Sequence, residues 1–248
     1  MMRALGKLIV VELKLFMREP VTLVFTLILP LIILIVMGEV FGKSASSSEF
    51  YRNVNAMDYY APAYIGVVLA AVGLVAIPVH LAGYRERGIL RRFSASSLPA
   101  RSLLLSQVAV SLIITLICVA VLLVACVFIY HIQGVNSLGL VVGGSLLAML
   151  SFISLGIFLG FILPSARAAQ GVGIVLFFLM FMISGAGPPR GVMSPIMQNI
   201  GRVMPAWHTT SLLQDAWLGY GWNILASVVL AGVLLVASFF SYWRFSRD

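Results

Sequence analysis

Six stretches of the chain are long and apolar enough, or nearly so, to span a lipid bilayer, and they leave few other folds open. A spanning segment needs about 20 residues in a helix, because only a helix satisfies its own backbone hydrogen bonds in lipid. The fifth stretch is short. We predict an all-α integral membrane protein, a single transmembrane domain over residues 1–248, whose helices cover Val21 to Phe41, Tyr60 to Gly83, Leu103 to Tyr130, Leu138 to Leu163, Gly171 to Ser184 and Ile224 to Trp243.

The composition supports a membrane protein and argues against a nucleic-acid partner. The chain is 61% hydrophobic and 10% charged, which leaves too little polar surface for a water-soluble particle. Its net charge of +8 comes from Lys and Arg residues that lie between the apolar stretches. A nucleic-acid-binding protein instead has its basic residues together on a soluble face. Cys118 and Cys126 have no flanking histidine or carboxylate, so we interpret both as packing residues and predict no metal site.

The basic residues also predict how the chain crosses the membrane. Loops assigned alternately place most of them on the side that holds both termini, and only Lys43, Arg52, Arg190 and Arg202 on the other. Cytoplasmic loops are enriched in Lys and Arg, so we expect both termini in the cytoplasm. The residues on the predicted cytoplasmic side are Arg3, Lys7, Lys14, Arg18, Arg85, Arg87, Arg91, Arg92, Arg101, Arg167, Arg244 and Arg247.

Residues 1–20 have the pattern of an amphipathic helix lying in the inner membrane surface. Its basic residues fall on one side of a helical wheel and its apolar residues on the other, and Pro20 then marks the change of direction into the first span. Glu12 lies in the middle of the apolar side, with Glu19 close by on the wheel. Either Glu12 snorkels to the headgroups, or it pairs with an arginine of residues 85–92 or of a partner protein.

Residues 185–223 predict a helical hairpin that re-enters the outer leaflet before the last span. The glycines and prolines of 185–191 break the preceding helix. A short amphipathic helix follows between Pro195 and Pro205, and a second runs from about Trp207 to Leu218. Aromatic rings at Trp207, Trp217, Tyr220 and Trp222 suit a membrane boundary. An ordinary extracellular loop is the alternative.

The chain shows little sign of catalysis or of an ion-coupled transport site. Its three histidines are far apart and no pair of carboxylates has acid–base spacing, so we expect no catalytic residue. Residues 38–44 resemble a phosphate-binding loop but have one residue too few between the glycines. Ionisable residues are nearly absent from the spans, so energy for any uphill transport must come from another protein.

Two sets of residues within the spans admit both a structural and a functional interpretation. Gly156-x-x-x-Gly160 and Gly139-x-x-x-Gly143 allow close helix approach, either within one subunit or between two. A second set offers a pliable apolar wall for a substrate path, although lipid contact or helix packing explains most of its members equally simply. This set is Phe177, Phe178, Met180, Phe181 and Met182.

A basic segment, residues 84–101, carries a resemblance to a known family. The pattern Glu86-x-Gly88-x-Leu90-x-Arg92, followed by Pro99 and Arg101, resembles the cytoplasmic coupling helix of bacterial type-2 ABC export permeases. The stretch from Met193 to Leu218, the six spans and the N-terminal helix are also similar to that family. Members often carry Thr-Pro after the coupling helix, whereas this chain has Ser96-Ser97-Leu98 before Pro99.

The resemblance implies a permease that has no ATPase domain of its own. In such a system two permease subunits assemble, as a homodimer or a heterodimer, and each docks a separate cytoplasmic ABC ATPase that holds ATP and Mg²⁺. The permease itself then binds no cofactor. The implied ATPase-coupling residues are Arg85, Glu86, Arg87, Gly88, Leu90, Arg91, Arg92 and Pro99, together with Glu12 and Glu19 of the N-terminal helix. These arginines also suit anchoring to anionic membrane lipid.

We therefore expect a multi-pass permease of the bacterial inner or plasma membrane that exports an amphipathic or hydrophobic compound such as a drug, antibiotic or lipid. A polysaccharide or glycolipid exporter of the same architecture is the first alternative. It ranks second because the spans offer few Trp or Tyr residues spaced to receive sugars. A membrane scaffold that moves nothing is an alternative of another class.

Overall fold

The computed structural model describes residues 2–41, 51–89, 100–132 and 134–245, and within them the chain is helical without β-strands. A short N-terminal helix precedes five long apolar helices, and two shorter helices precede the last long one. In chain order these are α1 (Met2–Phe16), α2 (Pro20–Leu23, Val24–Ile28 and Leu29–Phe41), α3 (Ala56–Ala71, Val72–Ala76 and Ile77–Glu86), α4 (Ala100–Tyr130), α5 (Leu138–Ile162), α6 (Ala166–Ser184), α7 (Pro195–Gly201), α8 (Pro205–Leu218) and α9 (Ile224–Phe245).

Six helices, α2 to α6 and α9, are long and apolar enough to cross a membrane, which confirms the predicted fold class. Several boundaries differ from the prediction, and two of the differences bear on the site. The second span continues beyond Gly83 to Glu86, so Arg85 belongs to this helix and not to a separate coupling helix. The fifth begins at Ala166 because the Ser165 hydroxyl caps it, accepting a hydrogen bond from the Ala168 N–H at 3.2 Å.

Helix α3 is the centre of the bundle. The most apolar 18-residue stretch of α3 is entirely buried, compared with 28% of that in α4 and α6 and 22% of that in α9. Helices α2, α4, α5, α6 and α8 all pack against α3, while α9 packs on α5 and α8. A helix enclosed in this way transmits a displacement at one of its ends to several neighbours.

Glycines permit the close approach of α3 to α5 and α6. A Cβ atom on Gly156 would overlap the carbonyl oxygen of Gly73, and one on Gly173 would overlap that of Leu74. A Cβ atom on Gly160 would lie 2.8 Å from the Leu81 side chain. The Gly156-x-x-x-Gly160 motif therefore serves packing within one subunit. A Cβ atom on Gly139 of the second motif would have no atom of another element within 4 Å among the described residues.

Two π-helical turns interrupt the regular helices side by side. They are Val24–Ile28 in α2 and Val72–Ala76 in α3, and the two turns contact each other. A π-helical turn accommodates one more residue than an α-helical turn and often marks a functional site. Here the turn in α3 lies immediately before the segment that carries His80, Tyr84 and Arg85.

The helix pair predicted before the last span is present as α7 and α8. Gly185, with φ of 91°, ends α6, and Gly219, with φ of 85°, ends α8. This left-handed conformation suits glycine. Helix α8 is buried against α3, α5, α6 and α9, whereas α7 exposes Ile196 and Ile200. Insertion of this pair into the outer leaflet and the membrane-surface position of residues 1–20 stay predictions.

Candidate coupling site

Arg85, near the end of α3, binds the backbone at the turn between α5 and α6. Its Nη1 donates hydrogen bonds to the backbone oxygens of Gly160 at 3.3 Å, Leu163 at 3.4 Å and Phe161. Its guanidinium also lies 5.9 Å from the centre of the Phe161 ring. These oxygens are at the C-terminal end of α5, where the helix dipole favours a cation. Arg85 thus acts as a cap for α5.

Glu86 makes the complementary contact on the other side of the same turn. Its Oε2 accepts a hydrogen bond at 3.0 Å from the backbone N–H of Ala166, the first residue of α6. A carboxylate is favoured at this positive end of a helix dipole. Adjacent residues of opposite charge therefore hold the two helix ends that meet at one turn. We call this pair of contacts the Arg85–Glu86 clamp.

Arg87 and Gly88 follow the clamp at the end of α3. Arg87 is exposed, and Gly88 has φ of 67°, a left-handed conformation that few other residues adopt readily. The remaining predicted coupling residues, Leu90, Arg91, Arg92 and Pro99, lie outside the described residues. The structure thus brings Arg85 and Glu86 together at the α5–α6 turn, and the docking role of the whole set stays a prediction.

Glu12 is buried between α1, α3 and α4. Its side chain is 4% exposed, and its Oε2 accepts hydrogen bonds of 2.7 Å from the Tyr84 hydroxyl and the Gln107 amide. Glu12 therefore does not snorkel. Among the arginines considered as its partner, Arg85 is bound to α5 instead, while Arg91 and Arg92 lie outside the described part of the chain. The buried carboxyl ties α1 to two spans.

The surroundings of Glu12 favour its neutral form. Burial raises the pKa of Glu12 above its usual value of 4.5, and the hydrogen bonds from Tyr84 and Gln107 offset part of that effect. The nearby charge of Glu19 raises it further. Glu19 itself accepts a hydrogen bond from the Thr22 hydroxyl at 3.2 Å and lies 3.6 Å from Nδ1 of His80.

The residues proposed as a substrate path divide into two groups. Phe177, Met180 and Phe181 are buried, and the Phe177 and Phe181 rings stack at 6.4 Å. Phe178 and Met182 are 40% and 41% exposed. The first three pack inside the subunit, so only Phe178 and Met182 offer an accessible apolar wall on α6. Their contact with a substrate stays a prediction.

The opposite end of the bundle, which we call the α8 end, is held by a buried arginine. Arg190 donates hydrogen bonds to the backbone oxygens of Ser184 at 2.9 Å and Trp207 at 2.8 Å, and to the Ser211 hydroxyl at 2.7 Å. Its guanidinium also stacks 4.1 Å from the Trp207 ring centre. Burial lowers the pKa of Arg190 to about 10. Arg190 joins the end of α6 to α8.

A second charged contact lies at the α8 end. Asp215 accepts hydrogen bonds of 2.6 Å from Arg52 and 2.6 Å from Asn223, and Arg52 also lies 4.4 Å from the Tyr220 ring centre. These contacts connect the segment before α3 to α8 and to the start of α9. Arg190, Arg52 and Asp215 are thus paired inside the subunit.

Sequence analysis missed three partners of Glu12 and Glu19 at the end of the bundle opposite to the α8 end, which we call the α1 end: His80, Tyr84 and Gln107. One signal did point to them, since a carboxylate on the apolar side of an amphipathic helix needs polar partners when that side is buried. Tyr84 and Gln107 are 72 and 95 residues from Glu12 in the chain. No local spacing rule connects residues so far apart.

The six membrane-length helices, with charged side chains joining helix ends, define the class as a multi-pass membrane protein. The model of the ABC-2 type transporter family matches residues 3–218, and the chain belongs to this family. It is therefore an ABC-type permease subunit, which serves transport and not catalysis, and the family generally works with ABC ATPase subunits. A comparison with curated proteins finds no match.

Proposed function

We propose that the chain is the membrane subunit of an ATP-driven exporter of an amphipathic or hydrophobic compound, such as a drug, antibiotic or lipid. Two permease subunits assemble in the bacterial cell membrane with both termini in the cytoplasm. Each couples to a separate ATPase, which binds ATP and Mg²⁺, through residues 85–99, in which residues 87–99 make the contact and the Arg85–Glu86 clamp transmits the displacement. Helix α1, with Glu12 and Glu19, supports this docking segment from the side.

The observation that carries this proposal is the Arg85–Glu86 clamp. The segment that follows it is basic and begins with the exposed Arg87, which suits contact with an acidic surface on a partner. The clamp ties the start of this segment to the α5–α6 turn. A displacement applied at residues 87–99 therefore reaches α3, α5 and α6 together, as a rigid-body change of the bundle requires.

The apolar character of the bundle supports the proposed substrate class. Ionisable residues are few along the spans, and the exposed faces of the long helices are apolar, including Val175, Phe178 and Met182 on α6. An apolar compound can move along such a face without losing strong hydration. A polysaccharide would instead need a polar, aromatic-lined path through the membrane.

The test is co-expression of the chain with the products of its neighbouring genes, followed by purification in detergent and an ATPase assay. We expect an ATPase to co-purify and Arg87→Glu to reduce its retention, because a reversed charge repels a complementary surface. Arg202→Glu is the matched control, since Arg202 is an exposed arginine at the α8 end. It should retain the ATPase fully.

Transport is measured with inside-out vesicles that contain the purified complex. ATP-dependent uptake of an amphipathic dye supports the proposed substrate class, and uptake of a lipid-linked glycan alone supports the polysaccharide exporter. If the chain inserts and purifies without an ATPase and stimulates no ATP hydrolysis, the transporter proposal fails and the scaffold is preferred.

A further inference from the structure

A small cavity lies between α1, α3 and α4, close to the α1 end. Its polar lining is Glu12, His80, Gln107 and Ser111. Its apolar lining is Phe16, Val72, Ala76, Ile77, Val110 and Ile114. The cavity is narrow, so only a group about the size of a water molecule fits beside the polar residues. One wall is therefore polar and the rest is apolar.

The Glu12 carboxyl contributes hydrogen-bond acceptors to this cavity. Both of its hydrogen bonds from described residues reach Oε2, from Tyr84 and Gln107. No lysine or arginine among the described residues lies within salt-bridge distance of Glu12. Burial without a cationic partner favours the protonated form of the Glu12 carboxyl, and a cation brought by a ligand would favour its ionised form.

His80 contributes a second acceptor. Its Nδ1 lies 3.6 Å from the Glu19 carboxylate, which favours the tautomer with the proton on Nδ1 and leaves a lone pair on Nε2. Nε2 is buried, His80 is 7% exposed, and this nitrogen has no hydrogen-bond partner among the described residues. Buried polar atoms are nearly always hydrogen-bonded, so this one points to a ligand.

The backbone around the cavity is also irregular. Val72 and Ala76, the first and last residues of the π-helical turn in α3, both line it. Such turns occur frequently at functional sites because the additional residue changes the direction of the side chains that follow. The irregular turn and the unpaired histidine nitrogen are independent observations at the same place.

We propose that this cavity binds a primary ammonium group. Such a group brings one positive charge and three N–H donors, which match the Glu12 carboxylate, the His80 Nε2 lone pair and the Ser111 hydroxyl. A quaternary ammonium has no N–H donor and prefers several Phe, Tyr or Trp rings. The cavity lining contains one such residue, Phe16. Ca²⁺ and Mg²⁺ require more oxygen ligands than the cavity offers.

Only the ammonium group would occupy the cavity, and the alkyl part of the ligand would extend away from it, because the cavity holds little more than a water molecule. The ammonium group has two possible sources, the amine of a transported amphipathic compound or the headgroup of an ethanolamine lipid. Assignment to a transported compound rests on the proposed function. Binding does not, and it is measured without an ATPase, so the two proposals can fail separately.

The test measures thermal stabilisation of the purified full-length chain in nanodiscs of phosphatidylcholine and phosphatidylglycerol. The probe is n-octylammonium, and n-octyltrimethylammonium and n-octanol are the matched compounds without a primary ammonium group. We expect a melting temperature that rises with probe concentration for n-octylammonium alone, because only a bound ligand stabilises the folded chain. An equal rise with all three compounds would overturn the proposal.

Variants assign the effect to the cavity. Glu12→Gln removes the charge and His80→Phe removes the acceptor while retaining a ring beside Phe16, which lies 6.0 Å away between ring centres. Each should weaken n-octylammonium binding by about tenfold or more. Glu39→Gln removes an exposed carboxylate at the far end of α2 and should change nothing. Unchanged binding in both cavity variants would overturn the proposal, and His80→Phe decides if Glu12→Gln does not fold.

A second set of nanodiscs distinguishes the two sources. If phosphatidylethanolamine is the ligand, its inclusion should reduce the shift caused by n-octylammonium, and native mass spectrometry should detect this lipid bound to the wild-type chain but lost from Glu12→Gln. If the ligand is a transported amine, the shift should be the same in both kinds of nanodisc. Either result supports an ammonium site, provided that the shift itself requires Glu12 and His80.

Discussion

The two ends of the helical bundle use their charged residues in different ways. At the α8 end, Arg190 and Asp215 are paired with groups of the same subunit, and these contacts fix α8 to its neighbours. At the α1 end, the Arg85–Glu86 clamp is internal, but Arg87 is exposed and the polar residues around Glu12 line a cavity. We call the α8 end the closed end, because Arg190 and Asp215 are held by contacts within the subunit. The α1 end instead retains groups that suit a partner or ligand.

Removal of Arg190 should break the closed end with the largest loss of stability. Arg190→Ala removes the arginine donor from the buried carbonyl of Ser184 and leaves the Trp207 carbonyl with its bond from the Ser211 hydroxyl, and we expect a loss of about 3 kcal/mol. Denaturation of the purified chain in mixed micelles measures this value. Arg202→Ala, the exposed control, should change stability by less than about 0.5 kcal/mol. Similar losses in both variants would show that Arg190 does not hold this end.

Asp215→Asn tests the second contact of the closed end and should have a smaller effect. Arg52 is 36% exposed, so water screens the ion pair, and we expect a loss of about 1 kcal/mol. A double-mutant cycle with Arg52→Gln isolates the pair from the Asn223 hydrogen bond. The coupling energy should fall in high salt. A salt-independent energy would identify packing of Arg52 on Tyr220 as the main contribution.

Glu86→Ala sharpens the contrast because it should affect coupling more than stability. Glu86 is exposed, so loss of its bond to Ala166 should cost no more than about 1 kcal/mol. The clamp then holds α6 less firmly, and we expect the ATPase to stay bound while transport per ATP falls. The assay compares ATP hydrolysis with vesicle uptake. A parallel loss of ATPase binding would instead place Glu86 in the docking surface.

The smallest expected effect is a dependence of stability on pH that comes from Glu12. Its folded-state pKa is raised, so the folded chain holds a proton that the unfolded chain releases, and stability falls as pH rises from about 4.5 through the folded pKa. Melting temperatures measured across this range should fall less steeply for Glu12→Gln than for the wild type. Equal slopes would mean that Glu12 is ionised in the folded chain.

The sequence predicted the six spans because each depends on local composition and length alone. It also predicted the break at Gly185 and the end of α8 at Gly219, where a left-handed glycine ends a helix. The sequence predicted that the second span ends at Gly83, because charged residues such as Arg85 and Glu86 usually lie outside a span. Arg85 and Glu86 stay helical because they cap α5 and α6, which lie 75 to 80 residues further along the chain.

The ATPase-coupling residues were likewise predicted from their pattern along the chain. The role of each residue, however, depends on its tertiary contacts. Arg85 and Arg87 look equivalent in the sequence, yet one is bound to three backbone oxygens and the other is exposed. Glu12 stood out on the helical wheel, although its partners on α3 and α4 did not. Local rules detect an unusual residue more readily than they identify its partner.

Because of the π-helical turn Val72–Ala76, the directions of the functional side chains that follow depend on the number of residues in α3. Each residue of a helix turns the chain by about 100°, so deletion of a single residue in this turn would rotate everything after it relative to Gly73. His80 would leave the cavity and Arg85 would face away from the end of α5. A deletion of one residue would therefore separate the glycine contact from the clamp, whereas a substitution leaves their relative direction unchanged.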